Sequence, residues 1–230
     1  KEIVLFTYGD QKVSYEITRQ DEDGIDPRKD TGSVELDESG RAVSGEYAFY
    51  EKYDDTIPTS DSYKLFYDTE GYLKKLVSNY QNQGGYHHTD ETRITWTEGN
   101  PTEVWSFKVW DDGTSDESTN KASYGTAPNK TNLDLNWIFV LSGSEDWRYV
   151  TGDSDDLFSL IGLTGKRSKH MAREVPESPL IYADGERVYE YTYETDADGL
   201  LTKITRITKK TYGGKVEKYK SFEAVITYAE

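Results

Sequence analysis

The stretch Tyr63-Lys-Leu-Phe-Tyr67-Asp68-Thr-Glu-Gly71-Tyr-Leu73-Lys-Lys-Leu76 decides the fold. An alternating aromatic run leads into Asp-x-x-Gly and a second alternating run leads out, which is the pattern of a β-hairpin. The Asp side chain can bond the backbone of its own turn, and Gly accepts the positive φ that closes it. The unit returns at Tyr191-Thr-Tyr193-Glu-Thr-Asp196-Ala-Asp-Gly199-Leu-Leu201-Thr-Lys-Ile204, and with fewer aromatics at Val34-Glu-Leu36-Asp37-Glu-Ser-Gly40-Arg-Ala-Val43. Glycines at turn positions keep a spacing of 14 residues from Gly99 to Gly113 and along Gly185, Gly199 and Gly213. A strand and its short loop occupy about that length, so the spacing predicts an antiparallel meander.

Working outward, further strands are expected at Glu2–Tyr8, Lys12–Arg19, Arg41–Phe49, Thr92–Trp96, Thr102–Trp110, Arg187–Glu194, Leu200–Lys210 and Val216–Tyr228. Asp21–Asp30, Gln81–Asp90 and Asp111–Asn132 read as polar loops. Leu133–Ser142 and Asp153–Gly162 read as short helices. The second has Asp153, Asp155 and Asp156 in its first turn and Gly162 at its end. The expected architecture is one all-β, mainly antiparallel domain over 1–230, a meander forming an open barrel or half-barrel. Residues 116–178 form an insertion carrying one or two short helices.

Composition narrows the function. A formal net charge of −16 argues against nucleic acid and against an anionic membrane surface. The absence of cysteine removes thiol catalysis, disulfides and Cys-based zinc sites. The longest apolar run, Trp137-Ile-Phe-Val-Leu141, is too short to span a membrane as a helix. Aliphatic residues are scarce beside 19 Tyr and 5 Trp, so rings must supply much of the core.

Five segments appear in order along the chain: Tyr67-Asp68-x-x-Gly71-x-Leu73, Trp96-Thr-Glu-Gly99-Asn100, Gly165-Lys166-Arg-Ser168-Lys169, Asp196-Ala-Asp-Gly199-Leu-Leu-Thr-Lys-Ile204 and Ile226-Thr-Tyr228. Together they resemble a Bacteroides-type domain of unknown function with a porin-like fold, found in secreted lipoproteins. One departure is local: the Gly-Lys-x-Ser box of that family runs directly into Leu-Pro, whereas here His170-Met-Ala-Arg-Glu-Val precedes Pro176. The resemblance implies an antiparallel barrel or half-barrel and export, and it implies no activity. A membrane barrel needs an outward apolar band. Here Glu190 and Thr192 alternate with Tyr189, Tyr191 and Tyr193, so the expectation is a soluble, incompletely closed sheet.

Candidate chemistry is sparse. The acids of Asp21-Glu22-Asp23-Gly24-Ile25-Asp26 could wrap Ca²⁺ but lack the downstream bidentate Glu, and a solvated acidic loop accounts for them. His87 and His88 would face opposite sides of a strand, and no third imidazole is near in sequence, so no metal is expected. Ser142-Gly-Ser144 does not supply a nucleophile elbow. The basic box Gly165–Lys169 lacks the earlier glycine of a phosphate loop. Asn129-Lys-Thr131 has only the form of a sequon. Exposed rings that stack on sugars remain as the lead, and Trp96, Trp105, Trp110, Trp147 and Tyr72 are the candidate ligand-binding residues.

The expected function is therefore a non-enzymatic binding or cell-envelope interaction domain without cofactor, secreted, periplasmic or attached to the outer membrane at the cell surface. A lipid anchor upstream of Lys1 is compatible with this. Its partner is expected to be a carbohydrate or an envelope protein. The alternatives are a glycan hydrolase using paired carboxylates and a partner protein bound along an exposed strand edge.

Overall fold

The computed structural model describes residues 2–21, 24–49, 58–82, 84–130, 164–176 and 186–228. All regular structure among them is β, in two antiparallel sheets. The first sheet takes β1 (Glu2–Gly9), β2 (Lys12–Asp21), β3 (Gly24–Leu36), β4 (Ala42–Phe49), β5 (Thr59–Tyr67), β6 (Leu73–Gln81), β7 (His87–Thr97), β8 (Asn100–Trp110) and β9 (Ser115–Lys121), in chain order. The second takes β10 (Ser123–Pro128), β11 (His170–Pro176), β12 (Glu186–Thr195), β13 (Leu201–Tyr212) and β14 (Lys215–Val225), again in chain order. Both are open, in keeping with the expected incompletely closed barrel.

The chain divides into two compact units, residues 1–91 with 107–116, and 92–106 with 117–230. In the first unit Val13, Tyr15, Val34, Tyr47, Tyr63, Leu65, Leu73 and Leu76 are buried on one face of β2–β6. In the second, Ile94, Val104, Met171, Val175, Tyr189, Tyr191, Leu201 and Ile204 form the core.

The turns follow the sequence reading. Asp68 Oδ1 accepts hydrogen bonds from the backbone N–H of Glu70 and Tyr72, both at 2.9 Å, and Gly71 takes a φ of +94°. Asp196 repeats this with Asp198 and Leu200, and Asp37 with Ser39 and Arg41. At such a φ any residue with a Cβ is strained, which fixes Gly at the fourth position.

Three expectations change. Asp21 and Gly24–Asp30 are strand, with Asp21 opposite Gly24 and Gln20 opposite Ile25, so the end of β2 pairs with the start of β3 where a polar loop is expected. Asp111–Asn132 contains β9 and β10, because neighbouring strands supply the hydrogen-bond partners that these polar residues do not advertise by periodicity. His87–Asp90 lies within β7. The helices expected at 133–142 and 153–162 lie outside the described residues.

Candidate functional site

The aromatic candidates take separate places on their strands and turns. Trp105 and Trp110 are an odd number of residues apart on β8 and face opposite sides of it. Trp105 is occupied: its Nε1 donates to Glu117 at 2.6 Å and the Arg93 guanidinium covers its ring at 4.6 Å. Trp96 is half-buried on β7, and Tyr72 is half-buried in the turn that Asp68 closes. Trp147 lies outside the described residues.

Instead the structure brings together side chains on the wet face of the first sheet. One row of cross-strand partners reads Ser14, Ser33, Glu46, Ser62 and Asn79 over β2 to β6. The rows on either side carry Glu16, Thr31, Ala48, Ser60 and Gln81, and Lys12, Glu35, Ser44, Lys64 and Val77. Most of these side chains are short, so they floor a trough of about 590 Å³ whose lining includes Lys12, Ser33, Glu46, Ser62, Asn79 and His87. A smaller hollow of about 270 Å³ shares Ser33, Glu46, Ser62 and Asn79 and reaches Lys64. Hydrogen bonds set the floor: Ser33 Oγ donates to Glu46 at 3.3 Å, Thr89 to Asn79 Oδ1 at 3.0 Å, and His87 Nδ1 pairs with Asp111 at 3.0 Å.

The opposite face of the same strands is aromatic and carries one buried charge cluster. Phe6, Tyr15, Gly32, Tyr47, Asp61 and Tyr80 are successive cross-strand partners. Tyr15 lies across Gly32, where a Cβ would fall inside its ring, and stacks on Tyr47 at 6.1 Å between centroids. Tyr63 lies across Gly45 in the same way. The Tyr47 hydroxyl donates to buried Asp30 at 3.0 Å. Farther along, Tyr80 stacks on His88 at 4.6 Å, His88 Nε2 pairs with Asp90 at 3.1 Å, and Lys108 approaches Asp90 at 3.5 Å. Burial pushes the Asp61 carboxyl up to about 6, reinforced by the Asp90 charge and opposed by His88 and Lys108. Asp61 Oδ1 is shielded from solvent and has no hydrogen-bond partner. His87 and His88 thus face opposite sides, as strand alternation requires, and no group of three or more His, Asp or Glu suited to a metal occurs among the described residues.

In the second unit two motifs meet. Lys169 N donates to Gly99 O at 2.8 Å, and His170 N donates to Asn100 Oδ1 at 2.8 Å. Asn100 Nδ2 sits 3.3 Å from His170 Nδ1, and Asn129 Nδ2 donates to buried Ser168 at 3.2 Å. The Trp-x-x-Gly-Asn turn and the Gly-Lys-x-Ser box therefore form one polar joint. Their chemistry is that of fastening strands, and the positive φ values of Glu98 (+52°) and Gly99 (+78°) close the turn that presents Asn100.

Sequence reasoning had pointed to the aromatic positions and passed over the trough. Its signal was present as the alternate positions Ser14-x-Glu16, Thr31-x-Ser33, Ser44-x-Glu46-x-Ala48 and Ser60-x-Ser62, a face of short polar side chains repeated over four strands.

The chain has the fold of two solved porin-like proteins. One, from Bacteroides vulgatus, superposes with a TM-score of 0.63 at 11% identity, covering 95% of this chain and 86% of that one. The other, from Bacteroides uniformis, gives a TM-score of 0.56 at 11% identity, covering 94% and 86%. No family profile and no curated protein matches the sequence significantly. No helix among the described residues is long and apolar enough to cross a membrane.

Proposed function

We propose that this chain is an exported, non-enzymatic binding domain of the cell envelope, and that its ligand is a neutral carbohydrate held in the trough of the first sheet. The observation that carries this reading is the floor itself. Hydroxyls of Ser14, Ser33, Ser60 and Ser62, the carboxamides of Asn79 and Gln81, and the Glu46 carboxylate offer mixed donors and acceptors over about 590 Å³. Sugar hydroxyls require that mixture, and a trough of this volume is within the range of small-ligand sites. A hydrolase would need two carboxylates facing each other across the cleft. Glu46 accepts from Ser33, and Glu35 is engaged with Lys12 at 3.0 Å, so the trough gives that alternative less support. The porin-like description of the structural neighbours supports an envelope location.

Calorimetric titration with a panel of neutral oligosaccharides tests the proposal. No Trp lines the trough, so saturable heat should appear without Trp fluorescence quenching. Ser62→Trp, which fills the trough from an exposed position, should remove the heat. Silence across the panel would overturn the reading, quenching would return the site to Trp105 or Trp110, and reducing-end release would establish the hydrolase.

A second reading has its own observation. Strand β1 ends the first sheet and is uncharged from Ile3 to Gly9, with Ile3 50%, Leu5 64% and Tyr8 66% exposed. An edge of that kind suits strand addition by a partner protein. Leu5→Lys should abolish such pairing, detected by crosslinking to envelope proteins, while leaving carbohydrate binding intact.

A further inference from the structure

The chain holds a second, stronger basic run than Gly165–Lys169. Leu201–Lys220 contains seven Lys and Arg against the single acid Glu217, in a chain of net charge −16. In linear sequence it is diluted by Thr, Ile and Tyr, and folding concentrates it on one hairpin. Successive rungs of β13 and β14 pair Tyr212 with Lys215, Lys210 with Glu217, and Thr208 with Tyr219. These positions share one face of the hairpin. Tyr212 is 60% and Tyr219 50% exposed, so two open rings flank Lys210 and Lys215. On the reverse face Lys209 stands directly opposite Lys218, a like-charge pair that costs stability unless relieved.

Elsewhere on this sheet lysines are matched. Lys218 reaches Glu190 at 2.8 Å, Lys220 reaches Glu223 at 2.8 Å, and Lys203 reaches Glu194 at 3.3 Å. Lys209, Lys210 and Lys215 make no hydrogen bond or ion pair among the described residues. From Lys209 to Lys218 the tip thus carries four lysines against one acid, Glu217 opposite Lys210, beside exposed rings in an otherwise strongly acidic chain.

We propose that the tip of the β13–β14 hairpin is a docking site for an acidic polysaccharide, with Lys210 and Lys215 on its carboxylates and Tyr212 and Tyr219 against its sugar faces. Charge complementarity selects an anion, and the rings select a ligand with flat apolar faces. Two paired strands are about 5 Å apart, which suits a linear chain better than a surface. An anionic membrane is held by clusters of about four to eight Lys and Arg, more than this face of the hairpin carries.

The test is fluorescence anisotropy with labelled oligogalacturonate, beside neutral dextran oligosaccharide, oligo-dT and phosphatidylglycerol vesicles. Oligogalacturonate should bind saturably at low salt and weaken about tenfold on raising the salt to several hundred millimolar, while dextran should not bind at the tip. The double variant Lys210→Glu/Lys215→Glu should lose about tenfold and Tyr212→Ser about threefold, whereas Lys74→Glu, exposed on β6 and outside the trough, should change nothing. Circular dichroism should show all three variants folded. No binding of oligogalacturonate, equal loss in Lys74→Glu, or tighter binding of oligo-dT or vesicles would each overturn the proposal.

Discussion

In the first sheet Tyr15 and Tyr63 lie across glycines of a neighbouring strand, whereas in the second Tyr189 lies under the Arg206 guanidinium at 4.8 Å, with Phe222 5.6 Å from the same group. The two sheets thus seat their rings by subtraction in one case and by addition in the other. A glycine removes a side chain so that a ring can rest on the backbone. An arginine fills the gap between rings while keeping its charge hydrogen-bonded, here to Ser221 at 3.0 Å. The opposite faces differ in step. Behind the glycines lie short hydroxyls and a trough; behind Arg206 and the tyrosines lies a network of lysine and glutamate. The same meander can therefore present a face of mostly short polar side chains or one of paired lysines and glutamates.

The largest expected effect breaks the comparison at its most rigid point. Gly45→Ala should destabilise the protein by about 3 kcal/mol in urea unfolding, because the new Cβ meets the Tyr63 ring and hydroxyl. Recovery in the double variant Gly45→Ala/Tyr63→Ala, relative to the sum of the single losses, would show that the ring and not the backbone is responsible.

Next comes Asp61, the one acid in the aromatic row of the first sheet. Its folded value near 6 lies above its ordinary 3.8, so the protonated form is favoured by folding. The penalty is absent below pH 3.8, develops between there and 6, and is complete above 6. Asp61→Asn should raise stability by about 2 kcal/mol at pH 7.5 and leave it unchanged near pH 3.5, as read from paired urea curves. Equal effects at both pH values would refute the assignment.

Arg206→Met should cost the second sheet roughly 1 kcal/mol, since the thioether keeps the packing and loses the cation–π contacts. The first sheet should be unaffected, which residue-resolved hydrogen exchange can check. An effect of the same size is expected at the turns. Asp196→Ala should cost about 1 kcal/mol by freeing the amides of Asp198 and Leu200, and Asp68→Ala in the other unit should cost the same. A large difference between these two would show that the turns, too, diverge between the units.

The turns were the most legible part of the sequence, because Asp and Gly act within a few residues of themselves. Tyr63–Leu76 was read with its strands and its turn correctly placed. The trough was not legible, although each strand showed its two faces, because its floor depends on register. Ser14 and Asn79 come onto one row only through four successive pairings, each fixed by a turn. Strands β9 and β10 were missed because Ser, Asp, Thr and Asn carry little hydrophobic period. The aromatic candidates illustrate a related limit of residue type: choosing Trp105 and Trp110 on one strand says nothing of the face each occupies, and they point to opposite sides.

In both sheets the spatial order of strands is their order along the chain. Consequently nearly every pairing closes a short loop, and each hairpin can zip onto its predecessor in microseconds at little cost in chain entropy. The exceptions are β10 against β11, with Pro128 opposite His170, and the joint between Asn100 and His170, which brings together residues 70 apart. Refolding is therefore expected to show a fast phase common to most strands and a slower one that reports closure of this joint. Asn100→Ala should speed unfolding of the second unit while sparing the early hairpins.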